Sequence, residues 1–568
     1  MDVCAIVTIP DAQRAALAAY VLRTFLSTLG LPHEVVREPP AGLEGRLAIW
    51  YGSPAPEDHG GPMVEIACLE PPAPDSPVHW LLDERRGHKV AVVGKALAVE
   101  GDPLYCDAYT GQAIVAREGA RVRVGADVVG SAGLWLTAAD ERGCPRDAFG
   151  RVPGAATPRA QAGLVRTPVV NDLVGLLWEA VRDAAFAAGH PLVRLAPWPD
   201  GHRFAVLLSH DVDQWRKRTL RQLAKELGRS WSRPLALART FLGGRDPWSD
   251  LEAVADLEEA RGMRSTFFLL AGRPDHQVEG VHVVNSYGED RQAVAEAARR
   301  LATRGCEVAL HASYGPSRSA GDLAAERDEL AQLTGQPIEG CRQHFVHFHV
   351  PATWEAQAEA AFRYDASLGY HDLDGYRAGF SFPFRPWAAG RQLPLLELPL
   401  VVMDGALQAQ QGLDAEAAGL CVEEHLRRAE ADGAMVSLLW HNTYFCQLDA
   451  PGYRGVYEQA LDWTREHGGW GAGAGEIAAW WTRRAAASLE VARHGAATRV
   501  GLEPIGEWAE LPLEVHSPAR PELSFERCQG RVVEEDEGCV RCLVGDVVAG
   551  RSALLVRGAG EEVGASRD

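Results

Sequence analysis

The sequence predicts an α/β protein in which a parallel sheet wrapped by helices, open or closed into a barrel, lies between an N-terminal α/β module and a small β-rich domain. Between about 203 and 485, short apolar runs alternate with helical stretches, and glycines bound the strands. Repeated βα units of this kind are typical of parallel sheets. After 485 the helical periodicity ends, and short strand-like runs separated by turns follow. We therefore expect three domains, 1–195, 196–485 and 486–568.

The first of these domains combines apolar runs with proline-rich loops. The runs LAIWYG at 47–52 and HKVAVVGKAL at 88–97 predict strands, and PPAPDSP at 71–77 predicts a loop. An amphipathic stretch over 168–189 predicts a helix that closes the module. This pattern indicates an α/β module of unknown role.

The central domain alternates predicted strands and helices. Apolar runs at 203–209, 264–270, 306–311 and 435–441 predict strands, with helical stretches between them. In sheets of this kind, catalytic and binding groups lie at the carboxyl ends of the strands. The polar residues that follow these runs are therefore the candidate functional residues.

The composition disfavours several classes of protein. The 568 residues include 57 Lys and Arg against 77 Asp and Glu, and the resulting net charge of −20 disfavours nucleic acid and anionic membrane surfaces as partners. No apolar run of membrane-spanning length is present, and the N-terminal sequence lacks the pattern of an export signal. The 11 cysteines are an odd number, widely spread, as is typical of reduced thiols. We therefore expect a cytoplasmic protein.

The strongest motif is LLSHDVDQW at 207–215, where an apolar strand runs into two aspartates. In an extended strand Asp211 and Asp213 share one side, about 7 Å apart. Carboxylates this close repel each other unless a cation binds or their protonation differs. One aspartate as a metal ligand and the other as a proton acceptor would meet this condition. The alternative is that Asp213 only caps the helix that follows.

Two histidines also end apolar strands. In EVALHASYG, at 307–315, His311 precedes a turn, and a neutral imidazole in this position suits a divalent metal such as zinc. In MVSLLWHNTYF, at 435–445, His441 follows the strand and suits a general acid that titrates near neutral pH. A single histidine is more often a structural group, so the interpretation depends on the shared position of both at strand ends.

Three histidines crowd the motif GCRQHFVHFHVPATW at 340–354. His347 and His349 lie on one side of a regular strand, and His344 would face the other side. The three histidines are open to several interpretations, as metal ligands, substrate contacts or surface residues. We expect at most one of them to complete a metal site.

Six segments follow one another in the chain: SHDVD, RSTFFLL, ALHAS, RQH, YDASLGYHDLDGYRAGFSFPFRPW and LLWHN. In this order they resemble the motifs of the polysaccharide deacetylase homology family, of the carbohydrate esterase family four type. The resemblance covers about residues 195–485 and is closest to a bacterial branch with SHDVD and RQH motifs. It implies a distorted (β/α) barrel. It also implies a divalent metal, usually zinc and sometimes cobalt, manganese or nickel, bound by one aspartate and two histidines.

The resemblance further implies a role for each residue that matches a family motif. Asp211 aligns with the catalytic base, and Arg342 aligns with the arginine that orients the base. Asp213 and His311 align with metal ligands, and His441 aligns with the general acid.

One position departs from the family pattern. The second metal histidine of the family lies four residues after the first, where this chain has Gly315, which cannot bind a metal through a side chain. We predict His344 as the replacement ligand because it belongs to a motif that already reaches the site. His210, next to the aspartates, is the second choice.

Aromatic side chains near these motifs are the candidate sugar contacts. Tyr314, Trp387 and Trp440 are candidate stacking platforms, although buried packing is the alternative for each of them. The resemblance implies that Leu439 and Trp440 line a pocket for the acyl methyl group. A backbone N–H within 312–314 is expected to stabilise the oxyanion.

Together these residues predict a metal-dependent hydrolase that removes N-acetyl groups from a polysaccharide, an oligosaccharide or an amino-sugar-containing precursor. The expected partner is then a glycan or amino-sugar substrate, with no nucleic acid and no membrane span. Gly315 favours one alternative, a catalytically impaired carbohydrate-binding or assembly protein. The other alternative is hydrolysis of a different non-peptide C–N bond in a small molecule.

Overall fold

The computed structural model describes the chain except for residues 58, 230–232, 279, 316, 495–496, 504–509, 537, 546, 548–551 and 559–568. The chain forms two units that alternate along the sequence. Unit 1 contains Met1–Trp135, Val169–His202 and Trp480–Asp568, and unit 2 contains Leu136–Pro168 and Arg203–Ala479.

The N-terminal part of unit 1 is a mixed sheet with helices. Its helices are Ala12–Leu29, Val128–Leu136, which reaches the unit boundary, and Val169–Ala187, which confirms the helix predicted over 168–189. The strands on one side of the sheet run parallel and those on the other side antiparallel. In sheet order the strands are His33–Val36, Val3–Val7, Leu47–Tyr51, Met63–Ile66, Arg121–Val124, Ala113–Glu118, Asp102–Asp107, Val78–Asp83 and Lys89–Val93.

The C-terminal part of unit 1 consists of two antiparallel sheets. Buried aliphatic side chains of both sheets, including Val193, Leu502 and Leu513, form one hydrophobic cluster. One sheet contains Leu192–Leu195, Glu510–His516, Cys539–Gly545 and Gln529–Asp536, and the other contains Ser488–His494, Ala497–Glu503, Ala553–Gly558 and Pro521–Glu526.

Unit 2 contains a parallel sheet surrounded by helices. In sheet order its strands are Leu396–Glu397, Tyr364–Asp365, Gly340–Gln343, Glu307–Ala312, Thr266–Leu270, Ala205–Val212, Met435–Leu439 and Val402–Met403, and Trp470–Ala472 also pairs with Ala205–Val212. The helices are Pro158–Gln161, Leu220–Arg229, Pro234–Leu242, Leu251–Glu259, Arg291–Thr303, Ala320–Thr334, Ala352–Glu359, Ala415–Asp432, Tyr453–Glu466 and Ala474–Ala486, the last of which contains the boundary between the units. Two short hairpins pair His276–Val278 with Val281–Val283 and Trp387–Ala388 with Arg391–Gln392.

The sheet of unit 2 is curled. Its two ends, Leu396–Glu397 and Val402–Met403, are separated in sequence only by residues 398–401. Four connecting residues cannot span more than about 18 Å, so the edges of the sheet come close together. The continuous apolar runs that predict these strands are buried along their length, as in Ala205–Val212, because both faces of a parallel sheet are covered. The α/β class with a parallel sheet is confirmed.

Local signals in the sequence set where the elements begin and end. The helix Ala415–Asp432 begins after Asp414, whose carboxylate accepts a hydrogen bond from Ala417 N at 2.9 Å. It ends at Gly433, which adopts the left-handed conformation with φ 62° that glycine tolerates best. The strand Met435–Leu439 follows directly and carries the chain to the edge where the candidate site lies.

Residues 136–168, which the sequence pattern groups with the N-terminal module, belong to unit 2 because buried ion pairs fix them there. Asp140 binds the guanidinium of Arg159 through both oxygens, at 2.5 and 2.6 Å, and both side chains are buried. Nη1 of Arg159 also donates to Tyr376 O at 3.2 Å, which ties this pair to the rest of unit 2. Glu141 likewise binds the guanidinium of Arg377 in unit 2 through both carboxylate oxygens, at 3.0 and 2.9 Å. Paired charges of this kind have no apolar periodicity, so the sequence pattern did not reveal them.

Among the described helices, none combines the length and the apolar character needed to cross a membrane.

Candidate metal centre and active site

Polar side chains from separate strand ends meet at one edge of the parallel sheet. Asp211 and Asp213 lie at the end of Ala205–Val212, and His311 lies near the end of the next-but-one strand, Glu307–Ala312. Arg342 pairs in register with His311. The sequence predicts this meeting because the carboxyl ends of parallel strands share one edge of the sheet.

Asp213 lies among three imidazoles. Its Oδ1 is 3.1 Å from Nε2 of His311 and 3.5 Å from Nε2 of His344, and its Oδ2 is 3.7 Å from Nε2 of His441. Burial opposes the charge on Asp213, but the imidazoles, His344 first, hold the pKa of its carboxyl well below the ordinary value. Asp213, His311 and His344 can each direct one ligand atom at a common point, since these atoms lie within 4.8 Å of one another.

The tautomer of His344 follows from its other contact. Nδ1 of His344 faces Oδ1 of Asn285 at 3.3 Å. That oxygen also accepts from Tyr314 N at 2.9 Å, and Asn285 Nδ2 donates to Pro274 O at 3.0 Å, which fixes the orientation of the amide. Nδ1 of His344 must therefore carry the proton. Burial lowers the pKa of His344 to about 4, so the ring is neutral near pH 7 and its Nε2 presents a lone pair to Asp213.

His311 is oriented in the same way. Its Nδ1 faces the carbonyl oxygen of Arg342 at 3.2 Å, an acceptor only, so Nδ1 is protonated and Nε2 points towards Asp213. Burial lowers the pKa of His311, but Asp211 and Asp213 outweigh burial and raise it above the ordinary value. Among the described residues, the buried Oδ1 of Asp213 accepts no well-formed hydrogen bond. When His311 is neutral, lone pairs on a carboxylate and on two imidazoles face one another, an arrangement that a divalent cation fits.

Asp211 is held by a buried arginine. Nη1 of Arg342 donates to Oδ1 of Asp211 at 3.0 Å and to Ser209 Oγ at 2.9 Å, while Nε donates to Ala366 O at 2.8 Å. The guanidinium also lies over the ring of Phe268, 4.3 Å from its centroid. Oδ2 of Asp211 lies 3.6 Å from Nε2 of His311 and accepts no bond from the arginine, so it is the oxygen that faces the centre.

His441 is paired with Asp404, a residue that the sequence analysis missed. Asp404 is fully buried and accepts from Nδ1 of His441 and from its backbone N–H, both at 2.6 Å. Burial opposes the charge on His441, but Asp404 and then Asp213 raise the pKa of His441 to about 10. The run LELPLVVMD at 396–404 ends in this aspartate just as the other apolar runs end in site residues, and this signal was available.

His344 reaches Asp213 through an unusual turn. The strand ends at Gln343, and Phe345 and Val346 adopt left-handed conformations with φ 61° and 53°. Non-glycine residues avoid this region, so other contacts must hold the turn. Arg151 provides one of them, since its Nη1 donates to Phe345 O at 3.2 Å. The ring of Phe149 provides another, stacked on the Phe345 ring with centroids 5.3 Å apart.

The two remaining ligand candidates have other roles. Gly315 adopts φ 128°, so a side chain at this position would be strained. His210 is fully buried, and its Nδ1 and Nε2 lie 2.7 Å from Trp440 O and from Glu258 Oε1. Both nitrogens of His210 are thus engaged elsewhere, which leaves His344 as the histidine that faces Asp213.

The candidate sugar contacts differ in their surroundings. Tyr314 is half-buried, stacks on His347 with ring centroids 4.7 Å apart, and donates to Phe149 O at 3.2 Å. Trp387 lies half-buried in a short hairpin, and its role stays a prediction. Trp440 must be corrected, because its ring is fully buried in the hydrophobic core beside Tyr453 and offers no face to a sugar. An apolar strand end is buried, which explains the difference.

The expectation of an oxyanion-binding N–H within 312–314 is corrected for two of the three positions. Ser313 N donates to Glu326 Oε2 at 2.9 Å, and Tyr314 N donates to Asn285 Oδ1 at 2.9 Å. Both groups therefore hold the loop after His311 in place and are not free for a substrate.

Two further groups of potential ligands differ from the centre in their charge balance. In the group of Asp374, Cys421 and His425, the aspartate already binds the guanidinium of Arg166 through both oxygens, at 2.7 Å each. In the group of Glu514, His516 and Cys539, the glutamate binds two arginines, Arg194 and Arg541. Arginine compensates these carboxylates, whereas Asp213 faces imidazoles alone.

No protein-family model and no curated protein matches the chain. Three solved structures are similar to about half of it. A candidate polysaccharide deacetylase from Mycobacterium smegmatis is 19% identical, with a TM-score of 0.36 over 51% of this chain and 93% of the other. Puue allantoinase is 16% identical, with a TM-score of 0.35 over 51% and 93%. The peptidoglycan deacetylase PdaC from Bacillus subtilis is 13% identical, with a TM-score of 0.27 over 50% and 95%. Values this low do not assign an activity, which has to be inferred from the site itself.

Proposed function

We propose that unit 2 is a metal-dependent hydrolase that removes the acetyl group from an N-acetylated amino sugar in a glycan or glycan precursor. The observation that carries this proposal is the arrangement around Asp213. Its unpaired carboxylate oxygen faces two imidazole nitrogens, His311 Nε2 at 3.1 Å and His344 Nε2 at 3.5 Å, whose rings are oriented by hydrogen bonds at Nδ1.

Asp213, His311 and His344 would hold the metal. Two imidazoles and one carboxylate are a usual ligand set of catalytic zinc, and such sites keep a position open for water. Zinc is therefore the first choice, with cobalt, manganese or nickel as alternatives. When bound, the metal lowers the pKa of water and polarises the carbonyl group of the substrate.

Asp211 acts as the general base in this proposal. Arg342 occupies Oδ1 of Asp211, so Oδ2, which faces the centre, receives the proton from the attacking water. The same contact fixes the orientation of the carboxylate. A base held in this way contributes about 10²–10⁴ in rate.

His441 acts as the general acid. Asp404 binds Nδ1 of His441, and Nε2 is directed towards the centre, 3.7 Å from Oδ2 of Asp213. The raised pKa of His441 keeps its ring protonated near neutral pH. Nε2 can then donate a proton to the leaving amine as the C–N bond breaks, so that acetate and a free amino sugar result.

An apolar cluster beside the centre supports a small acyl group as the part of the substrate that is removed. Val346, Leu400 and Leu439 are buried together, with Met403 packed against them. Val346 follows His344 by two residues, Met403 directly precedes Asp404, and Leu439 precedes His441 by two. Met403 is the half-buried member of the cluster, so its side chain is the one that a methyl group of the substrate would contact.

The position of His344 also bears on the alternative of a catalytically impaired binding protein. That alternative depends on a missing ligand at Gly315. With an imidazole directed at Asp213 from a different loop, the chain offers one carboxylate and two histidines after all, which favours the hydrolase.

The test compares His344→Gln with His347→Gln, two substitutions in the same motif. The purified wild-type protein is expected to bind one equivalent of zinc and to release acetate from N-acetylated chitooligosaccharides. His344→Gln should lose the metal, and His347→Gln should retain it, as measured by elemental analysis. Asp211→Asn should retain the metal and lose acetate release. Metal binding that is unchanged in His344→Gln, or no acetate from the metal-loaded wild type, would overturn the proposal.

A further inference from the structure

A cluster of basic side chains lies beside the candidate centre and has no part in the proposed chemistry. It consists of Arg146, Arg318, His347 and His349, here called the rim cluster. Arg146 and Arg318 are exposed, and within the described part of the chain neither lies within ion-pair distance of a carboxylate. This is unusual in a chain with a net charge of −20.

The rim cluster is close to the centre. His347 follows His344 by three residues, and three residues of chain span at most about 11 Å. The ring of His347 also stacks on Tyr314, with centroids 4.7 Å apart, and Tyr314 follows His311 by three residues. A group bound at the rim cluster could therefore belong to the same substrate as a group bound at the centre.

His347 and His349 contact each other next to Gly150. Their Nε2 atoms lie 3.0 Å apart, and a Cβ atom on Gly150 would lie 3.1 Å from Nε2 of His347 and 3.8 Å from Nε2 of His349. A glycine at this position lets the backbone pack closely against the imidazole pair. The carbonyl oxygen of Gly150 accepts from Nη1 of Arg146 at 2.7 Å, which brings the guanidinium to the same edge.

Asp147, the carboxylate that follows Arg146 in the chain, is already compensated. Asp147 binds Nε and Nη2 of Arg151 at 2.8 and 2.7 Å, and its Oδ2 lies 3.3 Å from Nε2 of His371. Arg318 follows Ser317, whose Oγ lies 3.4 Å from Nδ1 of His347. Burial, followed by the charges of Arg318 and Arg146, lowers the pKa of His347 to about 4. The cluster thus presents uncompensated positive charge and neutral imidazole groups, and a bound anion would relieve the repulsion between the arginines.

We propose that the rim cluster is a subsite for an anionic group, a carboxylate or a phosphate, carried by the substrate. The assignment of this anion to the substrate rests on the proposed function. Anion binding at Arg146, Arg318, His347 and His349 does not depend on the proposed function. Guanidinium groups bind both anions through paired hydrogen bonds. The substrate would then be an acidic glycan or a phosphorylated amino sugar.

The first experiment measures anion binding without the metal centre. Inorganic phosphate and glucuronate are titrated into the Asp213→Asn protein by calorimetry, so that a metal cannot bind the anion. At least one of the two is expected to bind, and the dissociation constant should rise at least tenfold when Arg146→Gln and Arg318→Gln are added. The anion that binds more tightly identifies the source. Arg142→Gln, an exposed arginine of the same segment, is the matched control and should change nothing.

The second experiment uses the metal-loaded enzyme with N-acetylated oligosaccharides that either carry or lack an acidic group. In the Arg146→Gln/Arg318→Gln protein, kcat/KM for the acidic substrate relative to the neutral one is expected to fall at least tenfold. If the ratio is unchanged, or if phosphate and glucuronate bind equally well without the two arginines, the subsite is wrong. If the wild type hydrolyses neither substrate, the proposed function fails, and the calorimetry alone decides on the subsite.

Discussion

Replacing Asp404 with asparagine is expected to remove activity mainly at alkaline pH. The amide oxygen of the new side chain can still accept a hydrogen bond from Nδ1 of His441, so the ring keeps its orientation. The negative charge that raises the pKa of His441 to about 10 is lost. Because a general acid must be protonated to act, activity falls as the pH rises through the pKa of His441, and this fall moves to lower pH in the variant.

The size of the effect follows from the two protonated fractions. At pH 8.5 about 97% of an imidazole with a pKa near 10 is protonated, against about 1% with the ordinary value near 6.5, a difference of about 100-fold in kcat. At pH 6 the same comparison gives only about 1.3-fold. A cation bound at Asp213 removes the share of that carboxylate in the raised pKa, whereas burial still lowers the pKa of His441 in the variant, so about 100-fold is the order of magnitude.

The assay measures kcat for acetate release between pH 6 and 8.5 in the wild type and in Asp404→Asn. Glu258→Gln is the matched control, because Glu258 holds the buried His210 at 2.7 Å in the same way, and His210 does not face Asp213. That control is expected to keep the wild-type pH profile. An Asp404→Asn enzyme whose activity persists to the same alkaline pH as the wild type would refute the role given to His441.

Three further perturbations test the site and its support. A thousandfold excess of zinc over its dissociation constant is expected to raise the free energy of unfolding by about 4 kcal/mol in urea titrations; an equal gain in Asp213→Asn would contradict the ligand assignment. Arg151→Gln removes a hydrogen bond to the carbonyl oxygen of Phe345, in the turn that carries His344. Zinc affinity, measured by chelator competition, should then fall about tenfold to hundredfold. An unchanged zinc affinity would mean that this turn does not need the hydrogen bond from Arg151. Arg159→Met leaves Asp140 buried without its partner and should lower the free energy of unfolding by about 3–5 kcal/mol. Adding Asp140→Leu to this variant should restore most of that loss. If the two substitutions instead lower the free energy of unfolding by the sum of their separate effects, the pairing is disproved.

Much of the candidate site could be predicted because it follows from strand ends. Asp211, Asp213, His311 and His441 each come directly after or near the end of a buried apolar run, and parallel strands bring their carboxyl ends to one edge. The structure brings these four side chains together, and the roles assigned to them stay predictions. Asp404 follows the same rule, since the apolar run 396–403 ends in it, although the strand Val402–Met403 itself has only two residues.

The turn at His344 could not be predicted from its own residues. A regular strand would place His344 on the side opposite His347, but the strand stops at Gln343 and the chain turns through left-handed conformations at Phe345 and Val346. Aromatic and β-branched residues disfavour that conformation, so local propensity predicts the wrong backbone. The turn depends on contacts with residues almost 200 positions earlier in the chain, such as Arg151.

The alternation of the two units along the sequence has a consequence for protein synthesis. The strand Leu192–Leu195 pairs with Glu510–His516, and Arg194 and Glu514, which bind each other across this pair, are 320 residues apart. At about 5–20 residues per second, a ribosome needs roughly 15–60 s to supply the second strand after the first. Through that interval the nascent chain carries an unmatched β-edge, a liability for self-association. Shortened expression clones that stop before residue 510 would keep this edge permanently.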